Sequence, residues 1–89
     1  MIRRHVYYHG NVQGVGFRYS TVRRAAVFKV TGFVRNMMDG RVEVVVEGNS
    51  QEVGSFLAAL ADEMRRYIID MQAQDEPYAG EFDRFDIRY

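Results

Sequence analysis

The sequence has 89 residues, near the size at which one hydrophobic core suffices with little surplus stability, so a single domain spanning 1–89 is expected. Its 12 basic and 12 acidic residues cancel and 47% of it is hydrophobic, which describes an ordinary globular chain with no global field drawing it to nucleic acid or anionic lipid. The absence of cysteine excludes disulfides and thiolate metal sites, and with no secretory h-region after Met1 and no apolar run of ~20 residues a cytoplasmic, membrane-free protein is expected.

Residues 2–10, with Val6, Tyr7 and Tyr8, read as a strand stopped by Gly10. His5 and His9 are four residues apart on it, about 13 Å at ~3.3 Å per residue, too far to share one ion, so two strand histidines are expected and no metal site. Three glycines, Gly10, Gly14 and Gly16, then fall within seven residues ahead of a helical pattern. Glycine permits φ > 0 and bares the peptide N–H groups, and a helix N-terminus adds the positive end of its dipole. Arg18 supplies a forked guanidinium at the mouth of the loop. Together these describe a small oxyanion cradle for one phosphoryl group. Neither nucleotide template fits, because Tyr19 stands where G-x-G-x-x-G needs its last glycine and no lysine follows the loop. The glycines alone fit an ordinary strand-to-helix turn equally well.

Helix one is predicted from Phe17 to Phe28, with Tyr19, Val22, Ala25 and Ala26 on its apolar side and Arg23 and Arg24 facing away. Ser20 and Thr21, in its opening turns, read as backbone hydrogen-bonding residues and not nucleophiles. Val30–Asn36 reads as a strand, Asp39-Gly40 as a hairpin turn, and Arg41–Glu47 as the returning strand, with Val42, Val44 and Val46 on one face. Asn36 by itself reads as a turn residue closing that hairpin. Helix two begins near Asn49 or Ser50, where Asn49 and Glu52 resemble a capping box, and carries Val53, Phe56, Leu57, Leu60 and Met64 as one stripe. Gly54 inside it costs roughly 1 kcal/mol against alanine, which points to a packing reason. Beyond Met64 the pattern admits either a longer helix or a strand over Ile69–Gln74; Phe85, Ile87 and Tyr89 then alternate as a last strand.

Val12-Gln13-Gly14-Val15-Gly16-Phe17-Arg18, taken with Gly32-Phe33-Val34-Arg35-Asn36-Met37-Met38-Asp39-Gly40-Arg41-Val42-Glu43, closely resembles the two signature segments of the acylphosphatase family, in order and at the familiar spacing. Gly80–Tyr89 resembles the last strand of bacterial members, so the resemblance covers essentially the whole chain. It selects the strand over Ile69–Gln74. The order becomes β-α-β-β-α-β plus a terminal strand: an α+β, ferredoxin-like split βαβ sandwich, with two helices on one face of an antiparallel sheet. RNA-recognition modules share this topology, but their third strand displays base-stacking aromatics, whereas Arg41–Glu47 has none and carries two carboxylates.

The resemblance implies hydrolysis of an acyl phosphate to a carboxylate and inorganic phosphate, with no metal, no cofactor and no covalent intermediate. By matching position, Arg18 would bind the phosphoryl group with the loop Gln13, Gly14, Val15, Gly16 and Phe17, and Asn36 would orient the attacking water. The implied partners are the small-molecule substrate and phosphate, with no nucleic acid. A carboxylate leaving group needs no general acid, so positioning and electrostatics suffice for such a site. A non-catalytic accessory anion-binding domain of the same fold is the alternative, and the joint presence of Arg18 and Asn36 weighs against it. One departure stands out: the family's usual Gly-Pro turn before the fourth strand has no counterpart in Asp62–Tyr67.

Overall fold

A computed structural model describes all of residues 1–89. It contains β1 (Ile2–Gly10), α1 (Phe17–Ala25), β2 (Val30–Asn36), β3 (Val42–Gly48), α2 (Ser50–Glu63), β4 (Ile68–Glu76) and β5 (Phe85–Arg88). The sheet order is β4-β1-β3-β2-β5. The alternating strand expected after the hairpin is thus the centre of the sheet, and every residue of β3 is buried.

The expected antiparallel sheet is corrected at one edge. β1 runs antiparallel to β3 and β4, and β2 antiparallel to β3, but β5 runs parallel to β2. The cause is the connection: the chain leaves β4 at one edge, crosses the sheet through residues 77–84 and re-enters at the other. That reversal makes β5 antiparallel to β4, and therefore parallel to β2.

On the helix-covered face, Val44 lies opposite Val6 and Val34, and Val42 opposite Tyr8 and Asn36. Phe17, Thr21 and Ala25 of α1 and Val53, Phe56, Leu57 and Leu60 of α2 are buried. Each large apolar side chain so buried contributes about 1.5–3 kcal/mol relative to exposure, and this layer holds the two halves of the chain in register.

Helix one ends three residues earlier than predicted. After Ala25, the N–H of Val27 bonds to Arg24 O and that of Phe28 to Ala25 O, at 3.1 and 3.2 Å. This tightening to an i→i−3 pattern leaves Val27 in solvent and packs Phe28 against the core. Asn49 caps helix two, its Oδ1 accepting the Glu52 N–H at 2.9 Å. The Glu52 carboxylate does not complete a capping box; it accepts the Lys29 N–H at 2.8 Å and ties helix two to the start of β2. Nor has Gly54 a packing reason, since a Cβ there would meet nothing within 4 Å. The connection lacking Gly-Pro turns through Met64–Tyr67, with the Tyr67 N–H donating to Met64 O at 2.9 Å and no non-glycine residue at positive φ. β4 then starts one residue before the predicted strand and runs two beyond it.

Candidate active site

The loop after β1 turns on Gly14 and Gly16, whose φ values of 77° and 78° are left-handed. A Cβ at either would meet no neighbour within 4 Å, so the backbone conformation, and not space, is what calls for glycine. Gly16 is the N-cap of α1, which has no side-chain cap and no acidic residue in its first turn. The first i→i−4 bond is Ser20 N–H to Gly16 O at 2.9 Å. The N–H groups ahead of it have no intrahelical partner, and they lie at the positive end of the helix dipole.

Gln13 and the β2–β3 hairpin fix where Asn36 stands. The Gln13 side chain donates from Nε2 to Met37 O at 2.7 Å and to Arg41 O at 3.0 Å, bridging the neck of the hairpin. The neck is itself closed by Met37 N–H to Arg41 O at 2.8 Å. The glycine loop is therefore fastened to the two residues that follow β2 and precede β3. Asn36, the last residue of β2, faces the helix layer beside Val42, and its Oδ1 is buried with no hydrogen-bond partner. A buried acceptor left without a donor costs about 1–3 kcal/mol, so Asn36 Oδ1 is available to accept a hydrogen bond in the cleft.

Arg18 is half-buried, with Cζ 5.2 Å from the centroid of the Tyr89 ring. It pairs with no carboxylate, unlike its neighbours on α1: Arg23 and Arg24 both bind Glu63, at 2.7 and 2.6 Å. Those two arginines bind across to helix two and leave Arg18 as the free charge at the head of α1. Thr21 donates to Phe17 O at 2.8 Å, the backbone role expected of it.

Arg18 and Asn36 meet in one cleft of ≈ 190 Å³, lined by Val12, Gly14, Gly16, Phe17, Arg18, Tyr19, Asn36, Ile87 and Tyr89. It is smaller than the ~300–1,000 Å³ of a typical small-molecule pocket, in keeping with a phosphoryl-sized guest. No carboxylate or imidazole side chain lines it. Of the loop residues expected to bind phosphate, the cleft gathers Gly14, Gly16, Phe17 and Arg18. The Gln13 side chain is turned to the hairpin, and Val15 packs against the core. Sequence reasoning missed Val12, Tyr19, Ile87 and Tyr89 as cleft residues. Tyr19 reads from its spacing as part of the apolar side of helix one, yet it is 73% exposed. Ile87 and Tyr89 were legible as one face of a strand, but reach the cleft only because β5 lies beside β2. The histidines do not share a site: His5 bridges Glu76 and Glu43, at 3.0 and 2.5 Å, on the sheet face away from the helices.

Residues 4–87 match the acylphosphatase family model. The chain is 44% identical over 90 residues to an acylphosphatase of Syntrophus aciditrophicus (strain SB), covering 100% of this chain and 94% of that protein. It superposes on the crystal structure of acylphosphatase from Bacillus subtilis with a TM-score of 0.90 and 32% identity, covering all of both chains. A segment of full-length HypF, in its phosphate- and nucleotide-bound form, is similar at TM-score 0.83 and 26% identity, matching 99% of this chain but 12% of that one.

Proposed function

The chain belongs to the acylphosphatase family and is an acylphosphatase, and from that premise we propose how its own residues hydrolyse an acyl phosphate. The phosphoryl oxygens lie against the glycine-loop N–H groups and the Arg18 guanidinium, which offers a planar fork to two of them. Asn36 Oδ1 accepts a hydrogen bond from a water and aims its oxygen at phosphorus. As the new O–P bond forms, the bond from phosphorus to the acyl oxygen breaks, and its electron pair leaves on the carboxylate. The water's proton passes to a phosphoryl oxygen or to solvent, since no carboxylate or imidazole side chain lines the cleft to take it. An uncharged amide suits this position because it orients water without competing as a nucleophile.

The observation that carries the reading is the pairing, in one cleft, of a guanidinium without a carboxylate and a buried amide oxygen without a donor. Asn36→Ala tests it. Arg18 and the loop are untouched by this change, so phosphate affinity is expected within a few-fold of wild type while kcat falls ~100-fold or more. If Asn36 only closes the hairpin, the variant instead loses ~1 kcal/mol of stability and its folded fraction turns over normally. The second reading is an accessory anion-binding domain of the same fold without turnover, and a fold of this kind does occur as a 12% segment of the longer HypF chain. Phosphate binding by the wild type with no hydrolysis of any acyl phosphate would establish that one.

A further inference from the structure

In-line displacement puts the entering and leaving oxygens on opposite sides of phosphorus. With water held on Asn36, the acyl carboxylate departs through the edge of the cleft away from Asn36. Two grooves open from the cleft. One, of ≈ 500 Å³, contains Asn36 itself together with Met37, Met38 and Tyr89, and so lies on the water's side. The other, of ≈ 340 Å³, is formed by Tyr19, Val22, Arg23 and Ile87; it joins the cleft through Tyr19 and Ile87 and does not include Asn36.

This second groove has the character of an apolar subsite. Tyr19 presents an exposed ring, and Val22 and Ile87 are half-buried. Arg23, its one charged member, is bound to Glu63 at 2.7 Å, a carboxylate it shares with Arg24, so its charge is partly offset and the other lining residues are uncharged. We infer that this groove receives the acyl portion of the substrate, and that it favours an uncharged apolar acyl group, with Tyr19 as the specificity-determining wall. The inference rests on the assignment of the phosphoryl group to the loop and of the water to Asn36. An aryl group laid along the Tyr19 ring would bury apolar area that a methyl group cannot.

The test compares benzoyl, acetyl and succinyl phosphate as substrates of the wild type, Tyr19→Ala and Met38→Ala. Both substituted side chains are well exposed, at 73% and 107%, so each variant is expected to fold. Dividing kcat/KM for benzoyl by that for acetyl phosphate, then comparing proteins, cancels the intrinsic reactivity of the two anhydrides. This ratio should fall about tenfold in Tyr19→Ala, hold in Met38→Ala, and be accompanied by a phosphate inhibition constant within about twofold of wild type. Succinyl phosphate should gain nothing over acetyl phosphate in any protein. An unchanged ratio in Tyr19→Ala, or a ratio that falls in Met38→Ala instead, overturns the groove assignment while hydrolysis stands. Failure of the wild type to turn over all three substrates overturns the hydrolytic reading and the groove with it.

Discussion

Arg18 is distinguished less by its charge than by the lack of any claim upon it. Arg23 and Arg24 share Glu63, and Arg35 and Arg41 pair with Glu43 and Asp39. Arg18 keeps its donors, with the Tyr89 ring beside its guanidinium. Lysine at this position would carry the charge into the same place as a point, without the fork that fixes two oxygens at once. Arg18→Lys is therefore expected to lower kcat/KM ~100-fold or more, the scale of losing one preorganised oxyanion donor, and to weaken phosphate inhibition. Thermal unfolding should be little changed, because the native side chain pairs with no carboxylate and its one aromatic neighbour, Tyr89, is itself exposed. Kinetics near wild type would remove Arg18 from the phosphoryl site. At the same scale, Gln13 reads from the signature loop as a phosphate-binding residue, while its side chain holds the neighbouring hairpin. Nothing local in the sequence reveals a contact to a carbonyl more than 20 residues away, at Met37 or Arg41.

Among the elements, α2 shows a glycine that its helix does not need. A Cβ at Gly54 meets open space, and the residue lies mid-helix. Gly54→Ala is expected to stabilise the protein by ~0.5–1 kcal/mol through the unfolded chain's lost freedom, raising the unfolding midpoint by a few degrees. A lowered midpoint would mean that the site needs glycine for a reason outside its static surroundings. Strand and helix identity was largely legible because Val42, Val44 and Val46 alternate with period two, and Val53, Phe56, Leu57 and Leu60 recur at helical spacing. Periodicity located β4 only with the help of the family resemblance, since Ile68 and Met71 also continue the helical series. The reverse turn at Met64–Tyr67 is made without any residue at positive φ, so it needs no glycine to announce it. The partner of β5 was illegible for a different reason. A strand's face is written in its own alternation, whereas its neighbour depends on the route of residues 77–84 across the sheet.

Taken whole, the molecule has one face closed by helices and one laced by charges. On the latter, Arg3 reaches Glu47, Glu76 and Glu81, His5 spans Glu76 and Glu43, and Arg35 holds Glu43. Glu47, almost wholly buried, also accepts the N–H groups of Ala79 and Gly80, pinning the segment that crosses to β5. The His5 hydrogen bond, ahead of the one from Arg3, holds the Glu76 carboxyl below its ordinary range; Arg4 does the same for Asp75, and Arg24 for Glu63. A carboxylate whose pKa is lower folded than unfolded stabilises the fold fully above the unfolded value, and loses that contribution as pH drops through the folded one. The unfolding midpoint is therefore expected to hold from pH 7 to about 5 and to fall steadily below pH ~4, with added salt blunting the effect because these pairs are part-exposed. A midpoint at pH 3 equal to that at pH 7 would contradict this. The Gln13 clamp has a consequence of another kind. It grips the β2–β3 hairpin at Met37 and Arg41, leaving Met38, Asp39 and Gly40 as an exposed tip beyond the grip. Extra chain spliced in at that tip, such as a fused peptide or a labelling tag, would hang outside the clamp, and its motion would not be transmitted to Asn36.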